Sequence, residues 1–435
     1  MVKTVQSEKS DVFFDISISF HVFFRKLRRL TIATLNFCFN IPNPNKMRLN
    51  KKLATLLCGF IFSTQIFAQN ADHESTVAER VFELEKKNDL LNVSLNMHGS
   101  YDAPFGYESS GMGESAFKMQ QLRLDVKGNI NEWLTYRWRQ RLNRPNNGAG
   151  SIDNVSSAID YAAISVKLND RWSLFLGRQC ALYGGVEYDL NPIEVIEFSD
   201  MVNNLTAFMT GVNVAYKLSD NHLLQLQILD SRNGKLEDVY GENLDKAKLP
   251  LVYILNWNGN FFDGKYATCW SISGASPARG KYTAYVALGN KIRFSKKLDM
   301  YVDLMHSYEQ LDDKGYLTAI VGEQFGHRAP SALYNSAVMR INYRFAPRWN
   351  AFFKGMYETT SSAKHNVAFE HGLYRTAYGY IGGLEFYPME ESNLHFYAAF
   401  VGRSYQYSNR AKMRGFSDYD TQRLQLGFIY QLPVF

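Results

Sequence analysis

The 435-residue chain has no run of about 18 apolar residues, so it offers no helix able to span a bilayer. Its mean hydropathy is below zero. A membrane chain of that kind must span as strands, because only half of each strand faces lipid. Cysteine is scarce. Of four, Cys38 and Cys58 fall in the first 68 residues, and nothing in the sequence places the remaining Cys180 and Cys269 together. A surplus of one charge is also missing. The first 68 residues hold 10 of the 48 Lys and Arg and 3 of the 42 Asp and Glu, leaving 38 basic against 39 acidic side chains. The formal net charge of +6 therefore gives no case for nucleic-acid binding. No His-Glu-x-x-His, Gly-x-Ser-x-Gly or Walker loop occurs. His306, His327, His365, His371 and His395 lack metal-ligand spacing, and neither a metal nor a cofactor is implied.

What the chain does have is aromatic side chains, 30 Phe, 27 Tyr and 6 Trp, set among alternating residues. Near the C-terminus Leu424, Leu426, Phe428, Tyr430 and Leu432 share one parity, and Arg423, Gln425, Gly427 and Gln431 the other. Side chains of a strand alternate faces, so one face is greasy and the other polar. The pattern starts at Leu91–Tyr101, Phe117–Gly128, Trp133–Asn143, Asp160–Leu168 and Trp172–Gln179. It returns at Gly211–Leu218, Leu223–Leu229, Leu251–Trp257, Lys265–Ser273, Lys281–Phe294 and Leu298–Tyr308. Ser336–Phe345, Trp349–Glu358, Leu373–Tyr387 and Asn393–Arg403 precede the final strand. Together these predict an all-β fold, a transmembrane antiparallel β-barrel of about 16 strands over residues 91–435. Tight turns alternate with long polar connections, the asymmetry of short periplasmic turns and long outer loops. Trp133, Trp172, Trp257, Trp349 and Tyr387 stand at strand ends, where rings suit a membrane interface.

Ahead of the barrel, Met47–Ala68 reads as a secretory signal. Arg48, Lys51 and Lys52 open it, Leu53–Phe62 is apolar, and Ile66-Phe67-Ala68 offers a cleavage site before Gln69. Residues 1–46 carry no barrel pattern and read as a start placed too early. Residues 69–90 predict a short periplasmic helical arm, with Val77, Val81, Leu84, Asn88 and Leu91 at coiled-coil spacing. A short amphipathic linker is the other reading of that segment.

The polar parity carries Arg123, Lys127, Arg137, Arg139 and Arg141 on neighbouring strands. Lys167, Lys217, Arg340, Arg344, Lys354, Arg403 and Arg423 follow on the same predicted face. An Arg facing lipid near the midplane costs roughly 2–4 kcal/mol, so these side chains are expected to line the lumen. Arg137, Arg139 and Arg141 occupy every second position and form a row of guanidinium donors that passes an anion from site to site. The planar guanidinium fork suits phosphate. The competing reading is bracing, with Asp125, Asp299, Asp303, Glu358 and Glu385 as partners across the pore.

The third long connection, Cys180–Leu205, holds Tyr183, Glu187, Tyr188, Asp189, Glu194, Glu197, Phe198 and Asp200. Folded inward it narrows the channel and sets acid against the arginine wall. Left outside it is a solvated loop.

The chain resembles the phosphate-selective porin O and P family of outer-membrane porins over most of its mature length. The resemblance lies in the run Phe117-Lys118-Met119-Gln120-Gln121-Leu122-Arg123-Leu124-Asp125-Val126-Lys127-Gly128 and in Leu176-Gly177-Arg178-Gln179. It continues in Gly184-Gly185-Val186-Glu187-Tyr188, Phe198-Ser199-Asp200 and Thr210-Gly211-Val212. It implies a sixteen-stranded trimeric barrel for passive uptake of small solutes, and the family's name implies phosphate or other anions. The expectation is an exported porin of a Gram-negative outer membrane, with modest anion preference. Its partners would be outer-membrane lipid, small anionic or neutral solutes, and further copies of itself as a homotrimer. Two features depart from the family pattern. The acidic third connection opposes an anion at the narrowest point, and the terminal alternation is offset by one from Phe435, with Pro433 between. A barrel-bound enzyme whose Ser and His are distant in sequence and a plugged structural or adhesive barrel are the alternatives.

Overall fold

The computed structural model describes residues 90–105, 114–145, 153, 155–232, 234–389 and 392–434. The expectations for residues 1–46, for the signal at 47–68 and for the arm at 69–90, Leu90 apart, lie outside the described residues. The first half of the barrel comprises β1 (Asn92–Phe105), β2 (Ala116–Asn131), β3 (Leu134–Arg141), β4 (Ile159–Lys167), β5 (Trp172–Cys180), β6 (Phe208–Ser219), β7 (His222–Asp230) and β8 (Leu251–Phe261). The second half comprises β9 (Tyr266–Ala278), β10 (Lys281–Ser295), β11 (Leu298–Glu309), β12 (Ala332–Ala346), β13 (Trp349–Ser362), β14 (Gly372–Phe386), β15 (His395–Tyr407) and β16 (Tyr419–Pro433). Each strand pairs with its chain neighbours, and β1 closes antiparallel on β16 to complete the barrel. Among the described residues no helix is long and apolar enough to cross a membrane. The helices are short and sit in connections: α1 (Val186–Asp189), α2 (Asp200–Asn203), α3 (Leu236–Tyr240), α4 (Tyr316–Val321) and α5 (Asn409–Lys412).

Several strands run further into the long-loop end than the alternation predicts. β12 starts at Ala332, β13 reaches Ser362, and β15 continues to Tyr407, opposite Arg375 of β14. Beyond the bilayer both faces are wet, so the hydropathy contrast fades while the backbone ladder continues.

Faces sort as the alternation requires. On β1 Asn96, His98, Ser100 and Asp102 are buried, while on β16 Leu424 and Leu426 are exposed. Polar inside and apolar outside is the reverse of a water-soluble sandwich and fits a wall facing lipid. The interior is not uniformly polar, however. Tyr285, Tyr301, Met305, Phe352, Met356, Ile381, Val401 and Ile429 form one apolar cluster with Val186, Ile193, Met201, Val202 and Leu317 from the connections. Inward apolar side chains on β10 to β16 therefore have a partner that strand parity alone does not reveal.

Close packing inside the wall fixes one glycine. Gly427 on β16 pairs with Tyr397 on β15, and a Cβ at position 427 would lie 2.5 Å from Tyr397 Cζ. Gly427→Ala is expected to crowd both that ring and the backbone carbonyl oxygen of Gly99, 2.6 Å away, at about 1–3 kcal/mol for overpacking. The variant should lose its heat-modifiable gel mobility at a lower temperature than the parent protein.

Candidate functional site: the arginine wall and the third connection

The basic row begins with register. Arg123, Asp125 and Lys127 on β2 stand opposite Arg141, Arg139 and Arg137 on β3. Side by side, such like charges repel, and two buried carboxylates relieve the repulsion. Asp125 takes Arg137 Nε at 3.1 Å and Nη2 at 2.7 Å, a bidentate fork. Asp160 on β4 takes three guanidinium groups: Arg123 Nη1 at 2.7 Å, Arg139 Nε at 3.0 Å and Arg141 Nε at 2.7 Å. Aromatic faces complete the frame. The Arg137 and Arg139 guanidinium carbons lie 4.2 and 4.7 Å from the Tyr161 ring centre, and Arg139 and Arg141 each lie 5.4 Å from that of Phe208. Four guanidinium groups, Arg123, Arg137, Arg139 and Arg141, thus share two carboxylates on neighbouring strands, and Lys127 stands opposite Arg137. Just beyond β3, burial and then the Arg141 charge push the Arg144 pKa down.

The third connection is built on glycine and carboxylate anchors. Gly184 and Gly185 have φ of 76° and 91°, a region that glycine enters without steric cost. The chain passes so near β10 that a Cβ on Gly289 would lie 2.7 Å from Gly185 Cα. Two short helices then direct backbone N–H groups at buried wall carboxylates. In α1, Val186 and Glu187 donate to the two oxygens of Asp303, both at 2.7 Å. In α2, Asp200 and Met201 donate to Glu358 at 2.8 and 2.9 Å. Glu187 ties the two ends together, accepting from Ser199 N at 3.0 Å and from Ser199 Oγ at 2.6 Å.

The acids of this connection reach cations on consecutive strands. Glu187 pairs with Lys354 of β13, Asp200 with Arg375 of β14 and Arg403 of β15, and Glu197 with Arg423 of β16. Glu194 lies 3.8 Å from His395 Nε2 on β15. Asp189 closes α1, donating its N–H to Gly185 O at 3.3 Å. Tyr183 packs edge-on against Tyr188 and Tyr285, with ring centres 5.8 and 5.5 Å apart. The acids of the connection thus meet basic wall residues, and those residues lie on β13 to β16: Glu187, Glu197 and Asp200 are matched to Lys354, Arg423, Arg375 and Arg403.

The remaining sequence-derived residues divide. Arg340 pairs with Glu385 at 2.8 Å and lies over the Phe352 ring, which is bracing. Arg403 also braces against Glu358 at 3.2 Å. Arg344 is exposed at the turn end of β12 and stacks on Tyr387 at 5.0 Å. Lys167 and Lys217 bond exposed turn residues, Asp170 and Asp220, at 2.8 Å and so stand at the barrel's short-turn end. Asp299 accepts from Asn342 at 2.9 Å rather than from a cation. Cys180 and Cys269 are both free thiols. Sequence reading missed Asp160 and Arg375, and held Ser199 only as part of the Phe198-Ser199-Asp200 fragment. Arg375 shares the inward parity of Glu385, a signal that was available.

Residues 91–432 match the family described as phosphate-selective porin O and P. The chain belongs to that family. This porin is accordingly an outer-membrane channel protein by kinship. No curated protein matches its sequence. Among solved structures, the outer membrane channel DcaP of Acinetobacter baumannii shares the fold, with TM-score 0.53 and 11% identity over 79% of this chain and 97% of that one. A loop L8 deletion mutant of OmpT, an outer membrane protein of Vibrio cholerae, gives 0.50 and 10% identity over 78% and 98%. The family fragments now have physical roles in this porin. Gly184-Gly185 turns the connection along the wall, Val186 and Glu187 bind Asp303, and Ser199-Asp200 joins Glu187 to Arg375. Arg178, in the Leu176–Gln179 fragment, bonds Asp153 at 2.6 Å, and Thr210 Oγ1 bonds the same carboxylate at 2.7 Å.

Proposed function

We propose that this porin admits small solutes and ions by passive diffusion, with a modest preference for anions, phosphate among them. One observation carries the reading. Asp160 engages Arg139 and Arg141 only through Nε, so their terminal Nη groups have no hydrogen-bond partner among the described residues. Those groups are the donors an anion in transit would meet, and several weak sites in a row allow it to enter and leave. The acids of the third connection do not oppose this, because Glu187, Glu197 and Asp200 already neutralise other cations. In this reading the connection narrows the lumen from the β10–β16 side and leaves the path beside the arginine wall. The porin would be exported by its signal at 47–68 and assemble as a homotrimer in a Gram-negative outer membrane.

The apolar cluster beneath the connection also favours a second reading, a barrel plugged for a structural or adhesive role. Planar-bilayer recording of the purified protein separates the two. Ohmic steps in groups of three support the trimeric porin, and absence of conductance supports the plug.

A further inference from the structure

The pairing of β3 with β4 slips by one residue. Arg139 faces Tyr161 and Gln140 faces Ile159, so Asp160 has no partner across the ladder. In a regular strand Asp160 and Tyr161 would point to opposite sides. Here both serve the same cluster: Tyr161 lies under Arg137 and Arg139, and Asp160 bonds Arg123, Arg139 and Arg141. A bulge of this kind re-aims a side chain at the expense of a ladder position. The side chain it re-aims is a fully buried carboxylate.

We infer that Asp160 is a specificity-determining residue of the anion path, setting how long an anion stays at Arg139 and Arg141. This inference rests on the anion reading of the same wall. By holding both guanidinium groups at Nε, the carboxylate leaves their Nη ends without a hydrogen-bond partner among the described residues. By lowering the local positive charge, it keeps the site shallow enough to release its occupant. Its repulsion grows with the charge of the occupant, so a divalent oxyanion loses more residence time than chloride. Asp160 therefore keeps a divalent anion from blocking the pore.

The test is block of chloride current by sulfate in single-channel recordings, with wild-type selectivity read first from the reversal potential in a potassium chloride gradient. In Asp160→Asn the half-blocking sulfate concentration is expected to fall about tenfold. Asp160→Glu keeps the charge but displaces it by one methylene, so its half-blocking sulfate concentration should fall only about threefold, between Asp160→Asn and the parent. An anion-selective parent with unchanged sulfate block in Asp160→Asn overturns this inference and leaves the anion reading standing. A cation-selective parent overturns both. If Asp160→Asn gives no folded barrel, Asp160→Glu is compared with the parent alone. The displaced carboxylate should then shift half-block by about threefold, and no shift overturns the inference.

Discussion

Glu187→Ala is expected to free the third connection from the wall while the barrel stays closed. Glu187 is fully buried and accepts from Ser199 N, Ser199 Oγ and Lys354 Nζ. Its loss strands the Lys354 ammonium, which is 3% exposed and keeps only the Glu197 carbonyl as a bonded acceptor. Removing one partner of a buried ion pair costs about 3–5 kcal/mol, because the other charge is left without compensation. The sixteen-strand ladder does not run through Glu187, so the penalty falls on residues 181–205. The expected readings are new protease cleavage within that segment, a larger single-channel conductance and open-channel flicker. Heat-modifiable gel mobility should survive. Glu187→Gln retains one carbonyl acceptor for Ser199 N–H and should lie between. Unchanged cleavage and conductance in Glu187→Ala would mean that the connection is held by its apolar contacts and not by this pair.

The second large effect belongs to the β3 row. Replacing Arg137, Arg139 and Arg141 together with Gln removes three positive charges. Arg123 and Lys127 then remain against Asp125 and Asp160, which balances the local charge. The reversal potential in a salt gradient should move toward that of potassium, and more so at low ionic strength, where screening is weak. Arg344→Gln is the control, since that guanidinium is exposed at the turn end, over Tyr387. It should shift the potential little. A triple variant indistinguishable from this control would refute the row as the selectivity element.

The barrel was legible because alternation reports directly on which face meets lipid. All sixteen segments correspond to strands, from β1 to β16. Asp160 was not legible, because parity counting assumes an unbroken ladder and the bulge beside Arg139 breaks it. The partners of the third connection were hidden for another reason. Glu187 and Lys354 are 167 residues apart, and Glu197 and Arg423 are 226 apart. Charge type suggested that such residues seek opposite charges, but only closure of the barrel decides which ones meet. The apolar half of the interior escaped notice likewise. Tyr301, Met305 and Phe352 on inward positions look like breaks in a pattern until Met201 and Val202 are placed against them.

The most direct test of the account is the sign of the zero-current potential of the wild-type porin across a tenfold potassium chloride gradient. Chloride permeating more readily than potassium is the predicted result, since Arg123, Arg139 and Arg141 converge on the single carboxylate of Asp160. A potential of the potassium sign would contradict it and would mean that the acids of the third connection, not the guanidinium wall, govern what passes.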